Sequence, residues 1–244
     1  MGQKFAAYNA QGVIVGYYDS VDSPVPAGVT AIEITDVQWS ACIGENPPYT
    51  VANSALVEPS APTAEQLLAA AQDTQAAIIS IACSNAITAG FTSTALGSTY
   101  TYPAKPTDQA NLSASIIAAL LASNQEYLWE PDAQFTAGQV VSGDGQLYTC
   151  VASGPSGAAA PVWPTVAGQI INDGSAQWEL WTTPFWCEDA NGNWAFVNHT
   201  APQIQAVGIA GKQAILANMA INVSLAAQIA EAENVAAVQA IAWP

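Results

Sequence analysis

The spacing of apolar and polar positions divides the chain into stretches of two kinds. Gln146, Leu147, Tyr148, Thr149, Cys150 and Val151 alternate with the period of a half-buried strand. Just before them, Gly143-Asp144-Gly145 suits a hairpin turn, because Asp and Gly tolerate the positive φ that tight turns require. Gln177 to Trp181 predicts another short strand, entered from the Asp173-Gly174 turn. Phe135 to Trp181 therefore predicts a small, aromatic-rich β module of about fifty residues.

On both sides of that module the period turns helical. Thr63 predicts an N-cap, with Gln66 completing a capping box. Leu67, Ala70, Ala71, Thr74, Ile78, Ile81 and Cys83 then recur close to helical spacing, up to a stop near Gly90. Thr107 or Asp108 predicts the cap of a helix running to about Ser123. Beyond the module, Trp186 to Phe196 predicts a β-hairpin on an Asn191-Gly192 turn. Thr200 then caps a long helix, with Gln203 three residues on and Pro202 tolerated in its first turn. Ile204, Val207, Gly211, Ile215, Asn218 and Leu225 mark one face of it. The pattern persists with breaks through Ile229, Val235, Val238 and Ile241.

Residues 4–43 predict a small β segment: a strand through Phe5 and Ala7, a turn at Gln11-Gly12, a strand over Val13 to Tyr18, and a short one at Ile32-Glu33-Ile34. Thr35 and Gln38 predict a further capping box. The resulting expectation is an α+β chain. It comprises an N-terminal β segment (1–43), a Pro-rich linker (44–62) in which Tyr49-Thr50-Val51 can form a short strand, a helical domain in two halves (63–125 and 184–244), and an inserted all-β module (126–183).

Charge narrows the function classes. Nineteen acidic residues face three lysines (Lys4, Lys105, Lys212) and no arginine, for a net charge of −16. Such a chain is unsuited to phosphate backbones and to anionic lipid. Charged residues make up 9% of the chain, against about a quarter in typical domains. So little charge beside so much apolar composition suggests surface buried against other chains; a protein merely rich in small residues is the alternative. No apolar run reaches the ~18 residues of a bilayer span without polar breaks, so no membrane insertion is expected. The N-terminus also lacks the apolar stretch of a secretory signal.

Little in the sequence points to catalysis or metal. His199 is the only histidine, and its place before the Thr200 cap suits a hydrogen-bonding role at a helix entry. Glu126, Glu130 and Asp132 before the module, and Glu188 and Asp189 after it, suit solvated edges better than a glycosidase acid pair. Asp144, Asp173 and Asp189 lie in turns that could offer oxygens to Ca²⁺, but without EF-hand spacing. Cys42, Cys83, Cys150 and Cys187 form no Cys-x-x-Cys pair, and the spacing leaves a Cys150–Cys187 bridge open. No enzyme activity, cofactor or metal is expected. Sugar binding is the open chemistry, because aromatic faces stack on the C–H faces of pyranose rings. Trp163, in a Pro-bounded loop, is the leading platform, with Trp181, Trp129 and Tyr148 as the other glycan-binding candidates. Tyr148, Trp178 and Val140 also fit strand patterns that place them inside, and Trp163 is equally suited to plugging the small core.

The module's marks are Gly138-Gln139-Val140-Val141, Tyr148-Thr149-Cys150, Ser153-Gly154-Pro155-Ser156-Gly157, Pro161-Val162-Trp163-Pro164 and Asp173-Gly174-Ser175-Ala176-Gln177-Trp178. In these it resembles the small carbohydrate-binding modules of chitinases and bacteriophage tail proteins. The N-terminal hairpin followed by Ile34-Thr35-Asp36-Val37-Gln38-Trp39 resembles the start of phage tail fibres and of tail-fibre assembly proteins. The flanks of the module carry Ala82-Cys83-Ser84-Asn85-Ala86-Ile87, Asp108-Gln109-Ala110-Asn111-Leu112 and Cys187-Glu188-Asp189-Ala190-Asn191-Gly192-Asn193-Trp194. They resemble a helical domain of unassigned chemistry common in phage tail-fibre proteins. The resemblance implies a structural component of a phage virion tail, made in the host cytoplasm. Its implied partners are other virion tail proteins, further copies of itself, with a trimer as the usual fibre state, and a host cell-surface polysaccharide. A tail-fibre assembly chaperone is the alternative it leaves open, and a polysaccharide-active enzyme a weaker one.

Overall fold

A computed structural model describes residues 2–43, 48–124 and 127–244. The chain is mixed α+β and divides into two compact units, Met1–Leu67 and Leu68–Pro244. Of the residues named above, Glu126 lies outside the described residues, as do residues 44–47 of the expected linker.

In the first unit, β1 (Lys4–Tyr8), β2 (Ile14–Asp19) and β3 (Ala31–Ile34) form an antiparallel sheet in the order β2-β1-β3. The short helix α1 (Asp36–Cys42) follows. Its Thr35–Gln38 capping box is present, with Gln38 N–H donating to Thr35 Oγ1 and Thr35 N–H to Gln38 Oε1. Lys4 on β1 pairs with Asp19 on β2, and its Nζ lies 4.9 Å from the centre of the Trp39 ring. Within the stretch expected as a linker, β4 (Thr50–Ala52) and β5 (Ala55–Val57) form a hairpin on Asn53 and Ser54, both at positive φ. Val51 is buried there, and its N–H donates to Gly12 O at 2.7 Å. The Pro-bounded stretch thus packs on the β1–β2 turn, because Val51 supplies an apolar anchor and the turn a free carbonyl.

Helix α2 (Ala64–Thr88) begins on the Thr63–Gln66 capping box, and the second unit starts at its Leu68. Next come β6 (Phe91–Ser93), β7 (Tyr100–Tyr102) and α3 (Pro106–Ser123). The start of α3 differs from expectation: Pro106 takes the first helical position, where its missing N–H costs nothing. Asp108 accepts the Lys105 N–H at 3.0 Å instead of capping as the residue before the helix. The module follows as β8 (Gln134–Phe135), β9 (Val140–Gly143), β10 (Gln146–Ala152), β11 (Gly154–Pro155), β12 (Ile170–Asp173) and β13 (Ala176–Leu180). Its main sheet is antiparallel in the order β12-β13-β10-β9, beside a small β11-β8 pair. The β9–β10 turn is Asp144-Gly145, both at positive φ, as the Gly-Asp-Gly pattern predicts.

The chain then forms a hairpin of β14 (Thr183–Glu188) and β15 (Trp194–His199), the long helix α4 (Ala201–Glu231) and the short α5 (Val235–Gln239). One antiparallel sheet, β15-β14-β7-β6, joins strands from before and after the module, with Glu188 opposite Thr101. Behind it, Tyr102, Phe185 and Cys187 pack with Leu112 and Ala119 of α3 and with Ile204 and Val207 of α4. Gly211 permits this closeness, since a Cβ there would stand 2.9 Å from the Phe91 ring. Val140 and Leu147 of the module join the same cluster, whereas Val141, Tyr148 and Cys150, of opposite parity, point into the module's own core. A third cluster unites Ile79 of α2 with Ile229 of α4 and Val238 of α5.

The two long helices treat their predicted stripes differently. On α4 the predicted face is the inward one: Ile204, Val207 and Gly211 are buried, and Leu225 packs on the third cluster. On α2 the buried side chains are Ile79 and Cys83, while Leu67, Ile78 and Ile81 of the predicted stripe are exposed. The inner face of α2 is marked by glutamines that sequence periodicity scores as polar. Gln72 Nε2 donates to Ile229 O at 3.0 Å, and Gln75 Nε2 to Ile241 O at 2.6 Å.

Candidate functional site

The module's aromatics converge on Asp173. This residue is 4% exposed. Its Oδ2 accepts the indole N–H groups of Trp129 at 2.7 Å and Trp178 at 2.9 Å, and its Oδ1 accepts the Gly157 N–H at 2.8 Å. A buried carboxylate is tolerated only when such donors replace its water. The turn that places it depends on Gly174, at φ 62° and with the Pro155 carbonyl only 2.5 Å from where a Cβ would sit. The Asp-Gly-Ser-Ala-Gln-Trp mark is thus an internal device in which turn, carboxylate and indole form one unit.

The four sequence-selected sugar platforms take up positions around this hub. Tyr148 is 2% exposed: of the two places the sequence allows it, platform or interior, it takes the interior, where strand alternation drives it inward opposite Val141 and Leu180. Trp163 is half-buried, with one face stacked on Tyr148 (centroids 4.2 Å apart, planes 20° apart) and its edge toward Trp178. Trp129 is half-buried and tethered to Asp173. Trp181 is half-buried against the cluster of α3, α4 and the β14–β15 sheet, away from the other three. Tyr148, Trp163 and Trp129 are brought together, but as the filling of the module.

An open aromatic surface lies elsewhere, on β14–β15. Phe185, Cys187, Val197 and His199 turn inward, so Trp186, Trp194 and Phe196 share the outer face. Trp186 and Trp194 lie nearly parallel with centroids 6.1 Å apart, and Phe196 meets Trp186 edge-on at 4.9 Å. Phe196 is 71% exposed, and the two indoles are about 40% exposed. Neither indole N–H has a hydrogen-bond partner among the described residues, in contrast to Trp129 and Trp178. The Asp189 side chain braces the hairpin end by accepting N–H groups from Asn191 and Asn193, which hold its carboxyl below the usual carboxylate range. Trp186 and Trp194 also line a groove of about 640 Å³ whose rim carries Thr88, Lys105, Thr107 and Asp108. Flat apolar faces beside hydroxyl, ammonium and carboxylate groups can stack on a sugar ring and hydrogen-bond its hydroxyls. The parity of these three residues against Phe185 and Cys187 was the available sequence signal; attention to aromatic density inside the module passes over it.

His199 is fully buried. Its Nδ1 lies 2.8 Å from Val197 O, so that nitrogen carries the proton, and Nε2 accepts the Tyr102 hydroxyl at 2.8 Å. Burial pushes the imidazole below its ordinary value and the Tyr102 phenol above its own. This is a closed polar pair behind the sheet. Among the acids, Glu130 and Asp132 are exposed and Asp189 is engaged in its turn. All four cysteines are free thiols and buried; Cys150 and Cys187 belong to different core clusters, which settles the open bridge against pairing in this structure. Among the described residues no group of three or more His, Cys, Asp or Glu side chains could hold a metal ion. An apolar cavity of about 180 Å³ lies where α3 and α4 meet Phe91, with Gln109, Ser113 and Lys212 as its polar lining.

Two helices, Ala64–Thr88 and Ala201–Glu231, are long and apolar enough to cross a bilayer by length and composition, with mean hydropathy 1.2 and 1.3. Gln, Ser, Thr and Asn interrupt the apolar runs of both helices, as the sequence shows. Comparison with protein-family models, with curated proteins and with solved structures finds no match to this chain.

Proposed function

We propose that this chain is a non-enzymatic structural component of a phage tail that offers an aromatic surface to host glycans. The observation that carries the glycan part is the outer face of β14–β15, where Trp186, Trp194 and Phe196 lie open beside a groove with a polar rim. A solvent-facing aromatic trio is costly to maintain unless a ligand covers it, and stacking on a pyranose uses flat faces with unpaired indole N–H groups. The tail assignment is supported by the ordered run of motifs from Thr35 to Trp194 that resemble tail-fibre proteins. Acidic surface disfavours nucleic acid and fits a neutral or cationic glycan better than an anionic one.

The test has two arms. Binding of the purified chain to a panel of bacterial surface polysaccharides, read by calorimetry, is expected for the wild type and lost in a Trp186→Ala, Trp194→Ala variant. Equal binding by both proteins removes the surface from the reading. Mass spectrometry of purified particles is expected to detect the chain; its presence in infected cells but absence from particles replaces the tail component with an assembly chaperone.

A further inference from the structure

Helix α4 carries a second apolar stripe that its own chain leaves uncovered. Ile209, Leu216 and Val223 stand seven residues apart, and Lys212 and Met219 each fall three residues after one of them. These are the a and d positions of a heptad repeat, and Ala226 and Ala230 continue it. The stripe is open: Ile209 is 61% exposed, Leu216 49%, Met219 50% and Val223 68%. The inward stripe through Ile204, Val207 and Gly211 is already used by the chain's own core.

Two features select the occupant. A strict seven-residue repeat keeps its seam facing another helix as the two wind around each other, since 3.5 residues per turn differs from the 3.6 of a straight helix. The charge pattern then favours like chains. Each copy carries −16 and repels its neighbours, yet α4 has no carboxylate before Glu231, and its only other charge is Lys212. Along this helix copies can approach without facing acid against acid. Lys212 is the single charged position in the stripe, and a lone polar residue in such a seam sets register. In register, each lysine stem stays in one layer while its ammonium reaches water; a slip sets it against Leu216 or Met219.

We propose that α4 packs in parallel and in register against α4 of further copies of this chain, through Ile209, Leu216, Met219 and Val223. This surface is independent of the glycan reading and stands or falls separately.

Sedimentation of the full chain tests it. At about 100 µM the wild type is expected to run as a dimer or larger assembly, and a Leu216→Glu, Val223→Glu variant as a monomer of unchanged helical content. Both positions face solvent in the single chain, so its fold does not depend on them. Under mild oxidation, Leu216→Cys is expected to form a disulfide-linked species. Ala217→Cys, about 100° further round the helix, is not. Lys212→Leu is expected to strengthen association and broaden the range of assemblies. A monomeric wild type, assembly indifferent to the two glutamates, or equal cross-linking at 216 and 217 each overturns the proposal. So does co-flotation of a monomeric wild type with phosphatidylcholine vesicles, which assigns the stripe to lipid.

Discussion

Two of the aromatic clusters in this molecule, one around Asp173 and one on β14–β15, are built on opposite terms. Around Asp173, the indole N–H groups of Trp129 and Trp178 find the same carboxylate, and the rings of Tyr148, Trp163 and Trp178 cover one another. On β14–β15, Trp186 and Trp194 have no such acceptor among the described residues, and their faces meet solvent. Aromatic density alone does not distinguish a core from a platform. The fate of the N–H groups does, because a buried indole must be satisfied and an exposed one need not be.

The largest break in this comparison is expected from Asp173→Ala. Three N–H donors then lose their acceptor, that of Trp178 fully buried and those of Trp129 and Gly157 half-buried, and the second unit should lose about 3 kcal/mol or more of stability, read by urea unfolding followed through tryptophan fluorescence. Trp186→Ala with Trp194→Ala should act the other way round. Glycan affinity should fall about tenfold or more, while the unfolding midpoint moves by the equivalent of about 1 kcal/mol. If stability falls as far as in Asp173→Ala, the two clusters are alike and the comparison fails.

Tyr102→Phe should cost about 1 kcal/mol by leaving His199 Nε2 without its donor, with no effect on sugar binding. His199 also predicts a pH dependence. Burial holds its folded pKa down, so below the ordinary imidazole value of about 6.5 the unfolded chain takes a proton that the folded chain refuses. Stability of the second unit should therefore decline as pH falls through that value and level off once the folded imidazole also protonates. The smallest effect belongs to the first unit. Asp19, held to about 2 chiefly by its bond to Lys4, contributes stability that is complete above the ordinary carboxylate range and is lost as pH falls toward that value. Amide exchange in β1 and β2 should reveal it, and Lys4→Met should weaken it, leaving the part due to the Val21 and Asp22 N–H groups.

Much of the fold was legible because its signals are local. The Thr35–Gln38 and Thr63–Gln66 boxes, the Asp144-Gly145 turn and the alternation through β10 are set by residues within a few positions of one another. Legibility ended where partners are distant in sequence. The inner face of α2 is recognised by Gln72 and Gln75 reaching carbonyls near the C-terminus, a pairing that no periodicity encodes. The stretch through Val51 reads as linker until the Gly12 carbonyl comes beside it. In the site, the role of Trp163, a loop residue, depended on which ring covered it, and Tyr148 lies fifteen residues away on β10.

The parity of β9 and β10 bears on how this chain can be re-engineered. Because Val140 and Leu147 leave the module's own interior and fill the space against α3 and α4, the module is more than a bead on a string. A donor domain transplanted between residues 124 and 183 inherits that obligation. Recipients whose strands present two aliphatic side chains at those places should yield folded chimaeras; those presenting polar ones would open a gap beneath the helices, however sound the donor is by itself.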